Sequence, residues 1–246
     1  MPTQEVLILA MSYTRSGVCT AGFTTEPDPV SHLRWVRPVK AYGNILLSDL
    51  TDATGRVLQC NDVVELALQK PRPLPPHTED VLTDFVYHRP CLVRHLEGEQ
   101  RARFLATHLD CAPEDIVVHQ TRSLCLVHPD QIWASFHLDH YSGKYEARLG
   151  FNLGGLKHER ANSPRGIPVT DIKWRALGRA WVLATKAQGS VTDLTLSSPQ
   201  LLERLQATDI YLTLGLSRGY QGEYWLLVVG VHTVPDYQIE LDYTNL

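Results

Sequence analysis

Arg15, Arg34 and Arg37 are the side chains of this 246-residue chain best suited to grip an anion, and Trp35 stands between two of them. They occur in Thr14-Arg15-Ser16-Gly17 and in Arg34-Trp35-Val36-Arg37-Pro38-Val39, on either side of the apolar stretch Val18-Cys19-Thr20-Ala21-Gly22-Phe23. A guanidinium offers phosphate a planar fork of two parallel hydrogen bonds. An indole face can stack a base, a sequence-tolerant contact worth roughly 1–3 kcal/mol. Binding of a phosphate backbone is therefore the chemistry these types suggest. A tryptophan inside a short strand also suits a core, so the arginines carry more of this reading than Trp35. Period-two alternation puts Trp35 and Arg37 on one face and Arg34 on the other.

Two further clusters hold titratable groups. His77-Thr78-Glu79-Asp80 sets an imidazole beside carboxylates, a pairing that can move protons or bind a metal. Its spacing matches no standard metal motif, and no Cys-x-x-Cys follows as in zinc deaminases. A loop tethered by hydrogen bonds is the plainer expectation. Val169-Thr170-Asp171-Ile172-Lys173-Trp174-Arg175 offers a carboxylate that can act as a base or orient an arginine, although capping a helix explains Asp171 fully. None of the eleven histidines forms His-Glu-x-x-His. Gly150-Phe151-Asn152-Leu153-Gly154-Gly155 lacks the Lys-Ser/Thr of a phosphate loop, and there is no nucleophile elbow or kinase signature. The expectation is no catalytic residue, no metal and no cofactor. The alternative is an enzyme acting on nucleic acid or nucleotides through His77, Glu79 and Asp171. A protein-interaction module is a third reading.

The elements that must position these groups read mostly as strands. Residues 6–11 are continuously apolar, as in a strand buried on both faces. Strands are predicted at 18–23, 33–39 and 62–68, with Glu26-Pro27-Asp28-Pro29 as a turn. Pro71, Pro73, Pro75 and Pro76 impose an extended segment. A helix is predicted at 97–109, strands within 123–151, and a long loop at 152–168. Asp171 caps a predicted helix to about residue 186, and Ser198-Pro199 opens another to about 207. Strands at 210–216 and 224–232 complete the pattern, joined by residues 217–222. Many short strands with few helices favour one or two small barrels.

The size suits one large or two small domains. Hydrophobic content of 43% and charged content of 20% describe an ordinary globular chain. A net charge of −4 argues against bulk DNA packaging but leaves room for a local basic groove. The longest apolar runs are too short to cross a bilayer, and no secretory signal is visible. Five scattered cysteines outline neither a disulfide framework nor a zinc ribbon. A reduced, cytoplasmic protein with no membrane partner is the expectation.

At residues 12–23, 34–39, 77–80, 169–174 and 211–231 the chain resembles the bacterial dual OB-containing domain family. The resemblance implies a mainly β fold with a few helices (α+β), built as two OB-like small barrels. The expected division is a first barrel with a helical insertion at 1–120 and a second with helices at 121–246. It also implies a nucleic-acid-binding or sensing role associated with bacterial conflict systems, and transfers no catalytic residues. The expected contacts are Arg15, Arg34, Trp35 and Arg37 in the first half and Trp174 and Arg218 in the second. The expected ligand is single-stranded nucleic acid or a nucleotide-like molecule.

Overall fold

The computed structural model describes residues 3–14, 16–25, 34–185, 190–219 and 221–243. The apolar run near the start forms β1 (Gln4–Thr14), and its partners explain why both faces are apolar. Val6, Ile8 and Met11 enter one core cluster with Val18, Val36 and Val64. Leu7, Leu9 and Ala10 face a second cluster containing Phe23, Leu124, Leu126 and Tyr211. The alternation slips at Leu9 because a bulge interrupts the register between Ile8 and Ala10.

β1 lies inside a curled seven-stranded sheet with β2 (Gly17–Thr24), β3 (Trp35–Val39), β4 (Asp62–Leu66), β5 (Leu68–Pro71), β6 (Asp80–Thr83) and β7 (Cys91–His95). The order is β5-β6-β3-β2-β1-β4-β7. All its pairings are antiparallel except β3 with β6. Two helices, α1 (Gly98–Thr107) and α2 (Glu114–Val117), follow.

The later residues supply two smaller sheets. One joins β8 (Leu124–Val127) to β13 (Asp209–Leu216) and β14 (Leu226–Val234). The other has β9 (Gln131–Asp139) at its centre, with β10 (Tyr145–Asn152), β11 (Ile167–Pro168) and β12 (Val191–Leu196). They close over a third cluster that includes Phe136, Phe151, Trp174 and Val228. α3 (Ile172–Ala184) starts at Asp171 as predicted. α4 (Ser198–Leu205) is capped by Ser197, one residue earlier than expected, where Gln200 Oε1 accepts from the Ser197 amide at 2.9 Å. β5, β6, β7, β11 and β12 were not predicted as strands, and β11 falls at the end of the expected loop. β7 is mostly exposed and β6 is only four residues long, so neither carries a strong apolar signal. Among the described residues no helix is long and apolar enough to cross a membrane.

A polar seam joins the early and late strands. The bulge turns the Leu9 carbonyl away from its own ladder, and Thr213 Oγ1 donates to it at 2.9 Å. His232 Nε2 lies 3.0 Å from the same hydroxyl. Because Thr213 donates its proton to Leu9, His232 must donate to Thr213, which places a hydrogen on Nε2. Nearby, Thr170 binds both sides: its carbonyl accepts from Tyr13 N at 2.8 Å and its amide donates to Val228 O at 2.9 Å.

Two outcomes follow from this seam. A Cβ on Gly230 would sit 2.2 Å from the Leu9 carbonyl oxygen. Gly230→Ala therefore costs about 1–3 kcal/mol in chemical denaturation, the range of overpacked cores; an unchanged midpoint would contradict this contact. Burial, with Arg101 and Lys173 nearby, pushes the His232 pKa down to about 3. A histidine depressed below its unfolded value near 6.5 contributes stability above that pH and loses it on acidification. At pH 5 the loss is ~2 kcal/mol, and His232→Gln flattens the stability profile between pH 6.5 and 4. Superimposable profiles would remove His232 as the cause.

Candidate nucleic-acid interface

Arg37 is the fixed point from which the site can be built. β3 runs parallel to β6, and their register places Arg37 opposite Asp80. The Arg37 amide donates to the Glu79 carbonyl at 2.7 Å. Its Nε donates to Asp80 Oδ1 at 2.6 Å. Both side chains are almost wholly buried. Arg218, from the loop after β13, donates to Asp80 Oδ2 at 2.9 Å while remaining 57% exposed. One carboxylate thus bridges a guanidinium from each half of the chain. Burial opposes the Arg37 charge, but Cys19, Asp80 and Glu79 outweigh it and raise its pKa.

Arg37 and Asp80 are buried members of the lining of a cleft of about 920 Å³ between the early and late strands, and Arg218 is an exposed one. Lys40 and Arg72 also line it. Lys40 Nζ pairs with Asp49 at 2.9 Å, and Arg72 Nη1 reaches the Lys40 carbonyl at 3.4 Å. Tyr13 belongs to the lining and is 38% exposed. Tyr42 is 91% exposed between two lining residues, Ala41 and Gly43. Gly17 lets this rim close, because a Cβ there would stand 2.3 Å from the Ile45 carbonyl oxygen.

The expected contact residues separate into several environments. Arg37 and Arg218 meet at the cleft. Arg15 lies outside the described residues, although Thr14 and Ser16 line the cleft. Arg34 is exposed in a different hollow, of about 300 Å³, with Phe23, Arg94 and His108. Trp35 is not placed for stacking on a base: it packs edge-on against Phe23 at 4.3 Å in the cluster between the sheets. Trp174 is likewise a core residue, fully buried among Phe136, Trp181 and Tyr237. Large apolar side chains facing two packed sheets gain more from burial than from projecting into water.

His77, Glu79 and Asp171 do not assemble into a shared polar centre; among the described residues no hydrogen bond or ion pair connects them. The Glu79 carboxylate accepts from Ser123 N at 2.9 Å, Ser123 Oγ at 2.9 Å and Leu124 N at 3.1 Å. Asp171 caps α3 through Trp174 N at 2.9 Å and holds β14 through Val231 N at 2.7 Å. Burial raises its pKa to about 6 against those amides. His77 packs edge-on to Tyr224. Burial, with Arg37 and Arg218 nearby, lowers its pKa to about 4, so the ring is neutral near pH 7. Among the described residues no group of three or more His, Cys, Asp or Glu side chains is placed to hold a metal.

Sequence reading overlooked Lys40, Tyr42, Arg72 and the bridging role of Asp80. A signal for Arg72 was present: it stands between Pro71 and Pro73, which impose an extended backbone at the end of β5, where the Arg72 amide donates to the Asp80 carbonyl at 2.7 Å. Tyr42 had a weaker one, an aromatic beside Gly43 in a polar loop.

Curled sheets of seven, four and three strands with few helices make a mainly β protein of OB-like barrels. The chain belongs to the dual OB-containing domain family, whose model matches residues 4–231. Searches of curated proteins and of solved structures gave no match.

The bridge predicts unequal costs. Asp80→Ala leaves Arg37 buried without its counter-charge and destabilises the fold by about 3–5 kcal/mol. Arg218→Ala releases an exposed partner and costs under about 1 kcal/mol. Equal shifts in urea midpoints would rule out Asp80 as the buried member that matters.

Proposed function

We propose that the protein binds single-stranded nucleic acid in the cleft between its two halves, as a binding or sensing module of the cytoplasm. The observation that carries this reading is convergence: Arg37 with Lys40, Arg72 and Arg218 come from three separate stretches of an acidic chain and line one cleft. A net charge of −4 elsewhere on the molecule is no obstacle, since affinity follows local charge. Exposed Tyr13 and Tyr42 supply the aromatic faces that the buried tryptophans do not. OB barrels bind strands with this combination of basic groove and stacking platform. The family membership supports the fold side of the reading and names no ligand.

Fluorescence anisotropy with a labelled single-stranded oligonucleotide tests it. Arg72→Ala and Arg218→Ala should each weaken binding roughly tenfold or less, as single charge-assisted contacts do. Removing one phosphate contact should reduce the slope of log affinity against log salt by about 0.7. Binding that ignores both salt and these substitutions would refute the assignment to this cleft.

A further inference from the structure

We propose that the cleft receives the phosphorylated end of a strand, with a terminal phosphate monoester seated against Arg37, Arg72 and Arg218. This inference rests on the cleft being the nucleic-acid interface, and specifies what part of the strand it takes. The first support is an unsatisfied donor. Arg37 is only 5% exposed and lines the cleft, yet among the described residues its Nη2 has no hydrogen-bond partner. A buried guanidinium donor without a partner is costly, and because this nitrogen has almost no surface of its own, an anion reaches it only if the side chains over it shift on binding.

The second support is charge. Among the described residues the lining carries four cations and a single carboxylate, Asp80, whose oxygens are already taken by Arg37 and Arg218. Two carboxylates stand just outside: Asp49 is committed to Lys40, and Glu79 to Ser123 and Leu124. Glu79 is held by neutral donors and keeps its charge, so these four cations and three carboxylates leave about one positive charge over. A monoester brings about 1.5–2 negative charges near pH 7 against one for a diester, which strengthens each charge-assisted bond to a guanidinium. Guanidinium forks also match the three free oxygens of a monoester better than the two of a diester.

The third support is shape. Arg37, Asp80, Leu124 and Thr20 are buried at the inner end, while Tyr13, Ser16, Arg72 and Arg218 are exposed at the mouth. A volume near 920 Å³ lies at the upper end of the ~300–1,000 Å³ typical of small-ligand pockets. That space suits one or two nucleotides entering from the mouth. The remaining strand would run outward past Tyr13 and Tyr42.

The test compares one oligonucleotide sequence in four forms: 5′-phosphorylated, 3′-phosphorylated, free of terminal phosphate, and circular. One phosphorylated linear form should bind on the order of tenfold or more tightly than the unphosphorylated and circular forms. Which end wins identifies the polarity of entry. The preference should disappear in Arg37→Gln. If that variant does not fold, Arg72→Gln and Arg218→Gln, both exposed, decide by reducing the preference. Equal affinity for all four forms would overturn end recognition and leave strand binding standing. A preference unchanged in every arginine variant would overturn the assignment of the phosphate to this cluster. Binding of no form at low salt would overturn both this inference and the strand-binding reading.

Discussion

Asp80 carries a guanidinium on each carboxylate oxygen, and much of the architecture answers to that arrangement. A carboxylate at 4% exposure needs compensation, because moving an ion out of water costs several kcal/mol. Arg37 compensates it from within the same sheet, and Arg218 does so from the other half of the chain. The parallel pairing of β3 with β6 makes the first contact possible, since it sets Arg37 directly across from Asp80. The second contact requires the loop after β13 to reach back over the first sheet. Glu79, the neighbouring residue, reaches in the opposite direction to the amides of Ser123 and Leu124. Two adjacent carboxylates therefore tie the halves together from one short segment.

The seam around Leu9 makes that convergence durable. A bulge exposes one carbonyl, Thr213 takes it, and Gly230 leaves room for the strands to approach. The cluster beside it, with Leu9, Trp35, Leu105 and Leu126, excludes water from the join. A barrel pair held this way presents its cleft as a fixed feature, with floor residues locked by packing. Arg37, buried on such a frame, loses little freedom when an anion arrives, which is the physical value of preorganisation.

Much of the fold was legible in the sequence because it is written in local signals. The apolar run at 6–11, the Asp171 cap and the Ser-Pro helix start each depend on neighbours within a few residues. β5, β6, β7, β11 and β12 escaped because short or exposed strands have little apolar pattern of their own. The site divided along the same line. Arg37 and Arg218 stood out as cations beside strands, while Trp35 and Trp174 were attractive by type and turned out to be core.

What the sequence determined by itself was the strand-rich character, the helix starts and the presence of arginines beside short strands. Those follow from residue type and local periodicity. Which arginines share a cleft was decided by tertiary structure alone. Arg34 and Arg37 are three residues apart and line different hollows, whereas Arg37 and Arg218 are distant in sequence and share one carboxylate. Electrostatic partnership depends on distance in space, and only the closing of the two halves over Leu9 and Asp80 sets that distance.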